Sequence, residues 1–287
     1  MKQSFVKVNG LNIRYLEAGN DVQENDKGGK TVRHHVLFVH GLGSSADRWL
    51  DIPEALSMAG LHTIAMDLPG FGLSEKPLDM DYTIGQLVRL VADFIPQAGM
   101  AKDKESSTNK TTVVGHSLGG YVAAQLAVEY PKVVDGLVLI DSSGMLEGPT
   151  TLLQQYHDAA MSPTKESVRA VFQQLVADPI RIADALVDGF IYRINQPGAK
   201  RAFKSAFDNS VYNKIGAGRL KQIAVSNIPT LIIWGRHDNL IPLEYSKIFQ
   251  DAIDGSKVEI VEDAGHAPFA EKPAIVCQLL QKFLLQP

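Results

Sequence analysis

Three side chains of the right types stand far apart along the chain: a serine within Gly115-His116-Ser117-Leu118-Gly119, a carboxylate at Asp238 and an imidazole at His266. A serine hydroxyl becomes a useful nucleophile when a base takes its proton, and an imidazole serves as that base when a carboxylate orients it. The chemistry would be covalent acyl transfer. A five-residue pattern can arise by chance, so its flanks decide. Thr111-Thr112-Val113-Val114 before it reads as a buried strand, and residues 118–130 carry the apolar spacing and alanine content of a helix. So tight a strand-to-helix turn exposes the serine Oγ on strained backbone. Glycines at 115 and 119 avoid the collisions that Cβ atoms would make there.

Eight histidines, at 34, 35, 40, 62, 116, 157, 237 and 266, compete for the role of base. His266, in Asp263-Ala264-Gly265-His266-Ala267-Pro268, follows the last predicted strand, on the same edge of the sheet as Ser117. Asp238 closes Trp234-Gly235-Arg236-His237-Asp238 after the preceding strand, and Asp141, after Leu139-Ile140, is its rival. The order Ser117, Asp238, His266 favours Asp238. Asp263 is expected to point to solvent. A developing oxyanion needs N–H donors. Leu118 follows the nucleophile, and Leu42 lies in His40-Gly41-Leu42-Gly43, where Gly41 and Gly43 let backbone approach. His40 is expected to pin that loop. This chemistry calls for no metal and no organic cofactor.

The elements that must position these residues follow from periodicity. Residues 5–8 and 11–16, joined by Asn9-Gly10, read as a β-hairpin. Val36-Leu37-Phe38-Val39 reads as a central strand covered on both faces. Then come a helix over 46–59, a strand over 62–66, a helix over 83–98, the elbow strand and helix, and a strand over 137–140. Residues 19–31 and 101–110 read as surface loops. Strands alternating with helices predict an α/β fold with a doubly wound, mostly parallel sheet. From 143 to about 214 the pattern holds only helical stretches, at 151–160, 164–177, 179–190 and 198–209, punctuated by Pro163, Pro179 and Pro197. Strands return at 230–234 and 258–261, with a helix between them and another over 273–285. The expected division is a core of 1–142 and 214–287 interrupted by an all-helical cap over 143–213.

A chain of 287 residues, 45% apolar and 21% charged, suits such a domain. Its 28 Lys and Arg against 32 Asp and Glu give −4, with no basic block for a nucleic-acid backbone. The first residues lack the apolar core of a signal peptide, and no run approaches the ~18 residues of a membrane span. A cytoplasmic monomer or small homo-oligomer acting on a small molecule is the expectation. Cys277, the only cysteine, precludes an intrachain disulfide and reads as a packed thiol.

Taken in order, His40-Gly41-Leu42-Gly43, Asp67-Leu68-Pro69-Gly70-Phe71-Gly72-Leu73-Ser74, Gly115–Gly120, Gly235-Arg236-His237-Asp238 and Gly265-His266 resemble the α/β-hydrolase superfamily over nearly the whole chain. The resemblance implies the α/β-hydrolase fold, serine catalysis and a helical cap, with Asp67 bracing its loop and Ser74 outside the chemistry. Ser117 sets the chain apart from haloalkane dehalogenases and epoxide hydrolases, whose elbow carries an aspartate. Gly43 stands where epoxide hydrolases have proline. Carbon–carbon bond hydrolases of aromatic-ring degradation usually carry a tryptophan just after the histidine. Here Ala267-Pro268-Phe269 follows, although Arg193 or Arg201 could bind an acidic substrate. The cap supplies Leu152, Leu153, Tyr156, Val171, Phe172, Leu175, Phe190, Ile191, Tyr192, Phe203, Phe207 and Tyr212. A minority of these should face Ser117 and form an apolar pocket with few charges. The expectation is a serine carboxylesterase cleaving uncharged esters of short to medium chain through an acyl-enzyme. A carbon–carbon bond hydrolase, a lactonase, thioesterase or perhydrolase activity, and a slow-turnover small-molecule receptor are the alternatives.

Overall fold

The computed structural model describes residues 1–19, 34–100, 109–179 and 182–285. Strands β1 (Lys2–Val8) and β2 (Leu11–Ala18) form the predicted hairpin. Its turn residues Asn9 and Gly10 have φ of 51° and 86°, which matches the twist of the strands they join. Strands β3 (His34–Val39), β4 (His62–Met66), β5 (Lys110–His116), β6 (Gly136–Ile140), β7 (Thr230–Gly235) and β8 (Lys257–Val261) complete an eight-stranded sheet. The order is β1-β2-β4-β3-β5-β6-β7-β8. Only β1–β2 and β2–β4 pair antiparallel; every other pair is parallel.

Helices α1 (Ile52–Met58), α2 (Ile84–Gln97) and α3 (Leu118–Glu129) alternate with the strands. Then α4 (Thr151–Met161), α5 (Lys165–Leu175), α6 (Asp184–Ile194), α7 (Ala199–Val211) and α8 (Ala217–Val225) follow one another without a strand between β6 and β7. Helices α9 (Glu244–Ala252), α10 (Pro268–Glu271) and α11 (Pro273–Leu284) complete the chain. Successive strand residues point to opposite faces. Val36 and Phe38 therefore join one apolar cluster with Trp49, Leu56 and the α11 residues Val276 and Leu280. Leu37 and Val39 join the other, with Leu87, Val122 and residues of the inserted helices such as Tyr156 and Phe190.

Some boundaries differ from expectation. The stretch over 46–59 is not one helix: a 3-10 turn at Ala46–Trp49 ends at Leu50, whose φ of 52° breaks the run before α1. Pro53 sits in the first turn of α1, where a missing N–H costs nothing. Helix α6 runs to Ile194, four residues past the expected end, and residues 180–181 of the predicted 179–190 stretch lie outside the described residues. Helices α8 and α10 have no counterpart in the sequence reading. Most of the predicted loops at 19–31 and 101–110 also lies outside the described residues.

The turn from β5 into α3 has no spare volume. A Cβ on Gly119 would lie 2.2 Å from the Val39 carbonyl oxygen, and one on Gly115 would lie 2.2 Å from that of Gly119. Both neighbours are backbone and cannot rotate away. Gly119→Ala is therefore expected to cost at least ~2–3 kcal/mol, read from urea unfolding of the purified protein. Unchanged stability would mean that the turn has slack.

Candidate active site

Ser117 lies between the end of β5 and the start of α3, with φ 53° and ψ −118°. A non-glycine residue persists there only when its surroundings hold it. Its N–H donates to Ile140 O (3.1 Å), and its carbonyl accepts from Tyr121 N–H (3.1 Å) and Ser143 N–H (3.1 Å). Leu118 opens α3, so its N–H has no intrahelical partner. Beside it runs the loop after β3: a Cβ on Gly41 would approach Ser117 Cβ to 3.1 Å and His116 Nδ1 to 3.0 Å. That close approach brings the Leu42 backbone alongside the serine. His40 ties the same loop down. Leu68 N–H donates to its Nε2 (3.0 Å), so Nδ1 carries the proton and donates to Gly41 O (2.7 Å). Burial pushes its pKa below the usual imidazole range. Asp67 braces the adjoining turn, accepting from Ala46 N–H (2.6 Å) and Leu73 N–H (2.7 Å). Ser74 Oγ donates to Asp67 O (2.7 Å), away from the serine.

His266 and Asp238 are both buried and joined by a 2.8 Å bond from Nδ1 to Oδ2. The other oxygen of Asp238 accepts from Leu240 N–H (2.8 Å) and Ile241 N–H (3.0 Å), which fixes the carboxylate plane. A ring nitrogen facing a carboxylate carries the proton, which leaves Nε2 of His266 as an acceptor. The backbone around His266 is equally constrained. Its N–H donates to Leu175 O (2.7 Å) at the end of α5, and its carbonyl accepts from His116 Nε2 (2.7 Å). Glu271 accepts from Gly265 N–H and Ala177 N–H, both at 2.8 Å. Burial, followed by the charge of His266, holds His116 well below the usual imidazole range, in keeping with its role as a neutral donor. His116 and Glu271 escaped the sequence reading. His116 sits beside Ser117, but its partner is 150 residues away.

The rival carboxylate, Asp141, is fully buried at φ 43°. Its Oδ1 accepts from Gly235 N–H (3.0 Å), and its carboxyl group faces that of Asp238. One oxygen each from Asp141 and Asp238 and a ring nitrogen of His266 lie within 4.8 Å of one another, yet the imidazole bonds Asp238. Burial, then the neighbouring Asp238 charge, raises the Asp141 pKa well above the ordinary 3.8. Asp263 leaves the cluster: its side chain is 81% exposed.

A cavity with about 950 Å³ of free space, part of it open to solvent, borders Ser117, His266, Leu42 and Leu118. Of the twelve residues named above from the inserted helices, Leu153, Tyr156, Phe172, Leu175 and Phe190 line it. Tyr192 and Tyr212 are exposed instead, and Leu152, Val171, Phe203 and Phe207 are buried in the apolar core. Two guanidiniums, Arg48 and Arg193, also line the cavity. Arg201 turns outward, donating to Met80 O at 3.4 Å.

A family model described as the alpha/beta hydrolase fold matches residues 34–273, and the chain belongs to that family. It is 30% identical over 285 residues to the dihydrolipoyllysine-residue acetyltransferase component of an acetoin cleaving system from Cupriavidus necator, covering 98% of this chain and 68% of that one. It is 26% identical over 296 residues to a 2-hydroxy-6-oxo-6-(2'-aminophenyl)hexa-2,4-dienoic acid hydrolase from Metapseudomonas resinovorans, covering 98% and 90%. The crystal structure of a membrane phospholipase A superposes with a TM-score of 0.79 at 25% identity, covering 99% of this chain and 85% of the other. Among the described residues no helix is long and apolar enough to cross a membrane.

The two aspartates separate on substitution. Asp238→Asn is expected to lower kcat by about 10³–10⁴-fold, through loss of the ring's orientation. Asp141→Asn keeps an acceptor for Gly235 N–H and should cost less than tenfold. Their stabilities should diverge with pH. The folded state holds the Asp141 proton more tightly than the unfolded chain does. Its contribution is therefore complete below about pH 4 and is lost as pH rises through the folded pKa. Asp141→Asn, which has no proton to lose, should gain on the wild type from pH 4 upward in urea unfolding. Parallel stability curves would contradict the assigned shift.

Proposed function

We propose that the chain is a serine hydrolase of carboxylic-acid derivatives, most simply a carboxylesterase of short- to medium-chain esters. The observation that carries this reading is the His266–Asp238 hydrogen bond at the rim of a cavity that also exposes Ser117. His266 Nε2 accepts the Ser117 proton while Oγ adds to the ester carbonyl. The amides of Leu42 and Leu118 receive the oxyanion, and each such donor is worth about 3–4 kcal/mol in this kind of site. Asp238 steadies the imidazolium, which then protonates the departing alcohol. Water repeats the cycle on the acyl-enzyme and releases the acid. No step requires a metal or an organic cofactor. In this reading residues 143–213 act as a cap on a core formed by 1–142 and 214–287, and the cap face carrying Leu153, Phe172 and Leu175 receives the apolar part of the substrate.

A second reading, hydrolysis of a carbon–carbon bond in a vinylogous diketone acid, draws support from the two cavity arginines and from the Metapseudomonas resinovorans relative. Ala267 in place of a tryptophan after His266 weighs against it. Both readings share the acyl-enzyme.

Ser117→Ala is expected to abolish turnover of p-nitrophenyl butyrate, with a loss of order a millionfold in kcat. A purified variant retaining more than a few per cent of wild-type activity would remove Ser117 as the nucleophile.

A further inference from the structure

The catalytic cavity carries two positive charges that the described residues do not answer. Arg48 reaches it from the 3-10 turn after β3, and Arg193 from the last turn of α6. Neither guanidinium has a hydrogen bond or ion pair among the described residues, and Arg193 Nε is buried without a partner. The nearest carboxylates are already engaged. Asp47 is held by both terminal nitrogens of Arg14, at 2.7 and 2.9 Å. Asp67 is shared between Arg14 (3.3 Å) and the amides of Ala46 and Leu73. Tyr156, close enough to feel both charges, spends its own proton on Leu42 O (2.9 Å). Burial makes the charged form costlier for both arginines, and the charge of Arg193 adds to that cost at Arg48. Arginine does not escape by deprotonating. Two half-buried guanidiniums without a protein partner among the described residues offer the counter-charge for an anion entering the cavity.

Resting on the acyl-hydrolase reading above, we propose that Arg48 and Arg193 form the anion-holding corner of the cavity, so that the substrate carries a carboxylate at one end, an apolar body at the other and the scissile carbonyl between. Helix α6 gives this polarity its scale. Leu186, Phe190 and Arg193 follow an i, i+4, i+7 spacing on one face, and all three line the cavity. At 1.5 Å per residue the Arg193 backbone stands about 10 Å along the helix from that of Leu186, and its Nη1 reaches back to 3.3 Å from a Cβ placed on Gly189, so the charge lies closer to the apolar end than its backbone does. Planar guanidinium forks match a flat two-oxygen group. Of the other hydroxyls lining the cavity, those of Tyr156 and Ser210 already donate to Leu42 O and Phe207 O, whereas Ser143 Oγ has no partner among the described residues.

The test uses matched esters. Mono-p-nitrophenyl glutarate against p-nitrophenyl pentanoate places the charge on the acyl side; 4-acetoxybenzoate against phenyl acetate places it on the leaving side. In at least one pair the wild type should prefer the anion. The anionic-to-neutral ratio of kcat/KM should fall 10–100-fold in Arg193→Gln and in Arg48→Gln, chiefly through KM, with Arg193→Lys restoring part. Hexanoate should raise the melting temperature of Ser117→Ala more than hexyl phosphate does, and that rise should vanish when Arg193→Gln is added. An unchanged ratio in both arginine variants, or tighter binding of hexyl phosphate, overturns the carboxylate site. If no ester is turned over but hexanoate still binds through Arg193, the site stands and the proposed reaction falls.

Discussion

The tight reversal of the chain at Ser117 is the constraint on which the site depends. Strand β5 lies between β3 and β6, and helix α3 must leave its end at once, over the Val39 carbonyl that a Cβ on Gly119 would strike. The serine is thereby driven to φ 53°, a conformation costing of order 1–2 kcal/mol that three backbone hydrogen bonds, to Ile140, Tyr121 and Ser143, offset. Its cavity-facing position, the open N–H of Leu118 and the proximity of Gly41 are consequences of this one turn. The positions of Ser117 and of the Leu118 amide are therefore set by backbone packing, with little left to side-chain choice.

The imidazole is held by a separate set of bonds that joins three parts of the chain. His116, at the turn, donates to the His266 carbonyl, and His266 N–H reaches Leu175 at the end of α5. Glu271 then ties Gly265 to Ala177, with burial raising its own pKa. The loop bearing the candidate base is thus wedged between the elbow and the inserted helices. Movement at the end of α5 would be felt at the imidazole through a single hydrogen bond. The helices above the cavity do more than supply its apolar wall.

What could be read in the sequence was whatever announces itself locally. Gly115–Gly119 between a β-branched run and an alanine-rich one marks the turn, and strand ends mark Asp238 and His266. The choice between Asp141 and Asp238 turned on chain order, whereas in the folded chain it turns on which oxygen meets Nδ1. Leu50, a leucine at positive φ, gives no warning of the break after Trp49, so Arg48 read as an ordinary residue of a longer helix. Helix α8 opens on Gly216-Ala217-Gly218, which reads as loop, and its burial of Leu220 and Ile223 comes from tertiary packing. His116 and Glu271 act through partners with no sequence pattern of their own.

The charges around the candidate base are balanced rather than merely abundant. His40 and His116 are both biased by burial toward the neutral ring, and each spends its proton on a backbone carbonyl. Asp238, with two amides and Nδ1 to satisfy it, presents one negative charge to His266. An ionised Asp141 would present a second. Complete burial and the adjacent Asp238 charge oppose ionisation of Asp141, so the carboxyl group nearest the pair adds shape and an acceptor for Gly235 without adding charge. The imidazolium formed during the proposed reaction is then matched by a single carboxylate, and the two guanidiniums in the cavity are left for the substrate.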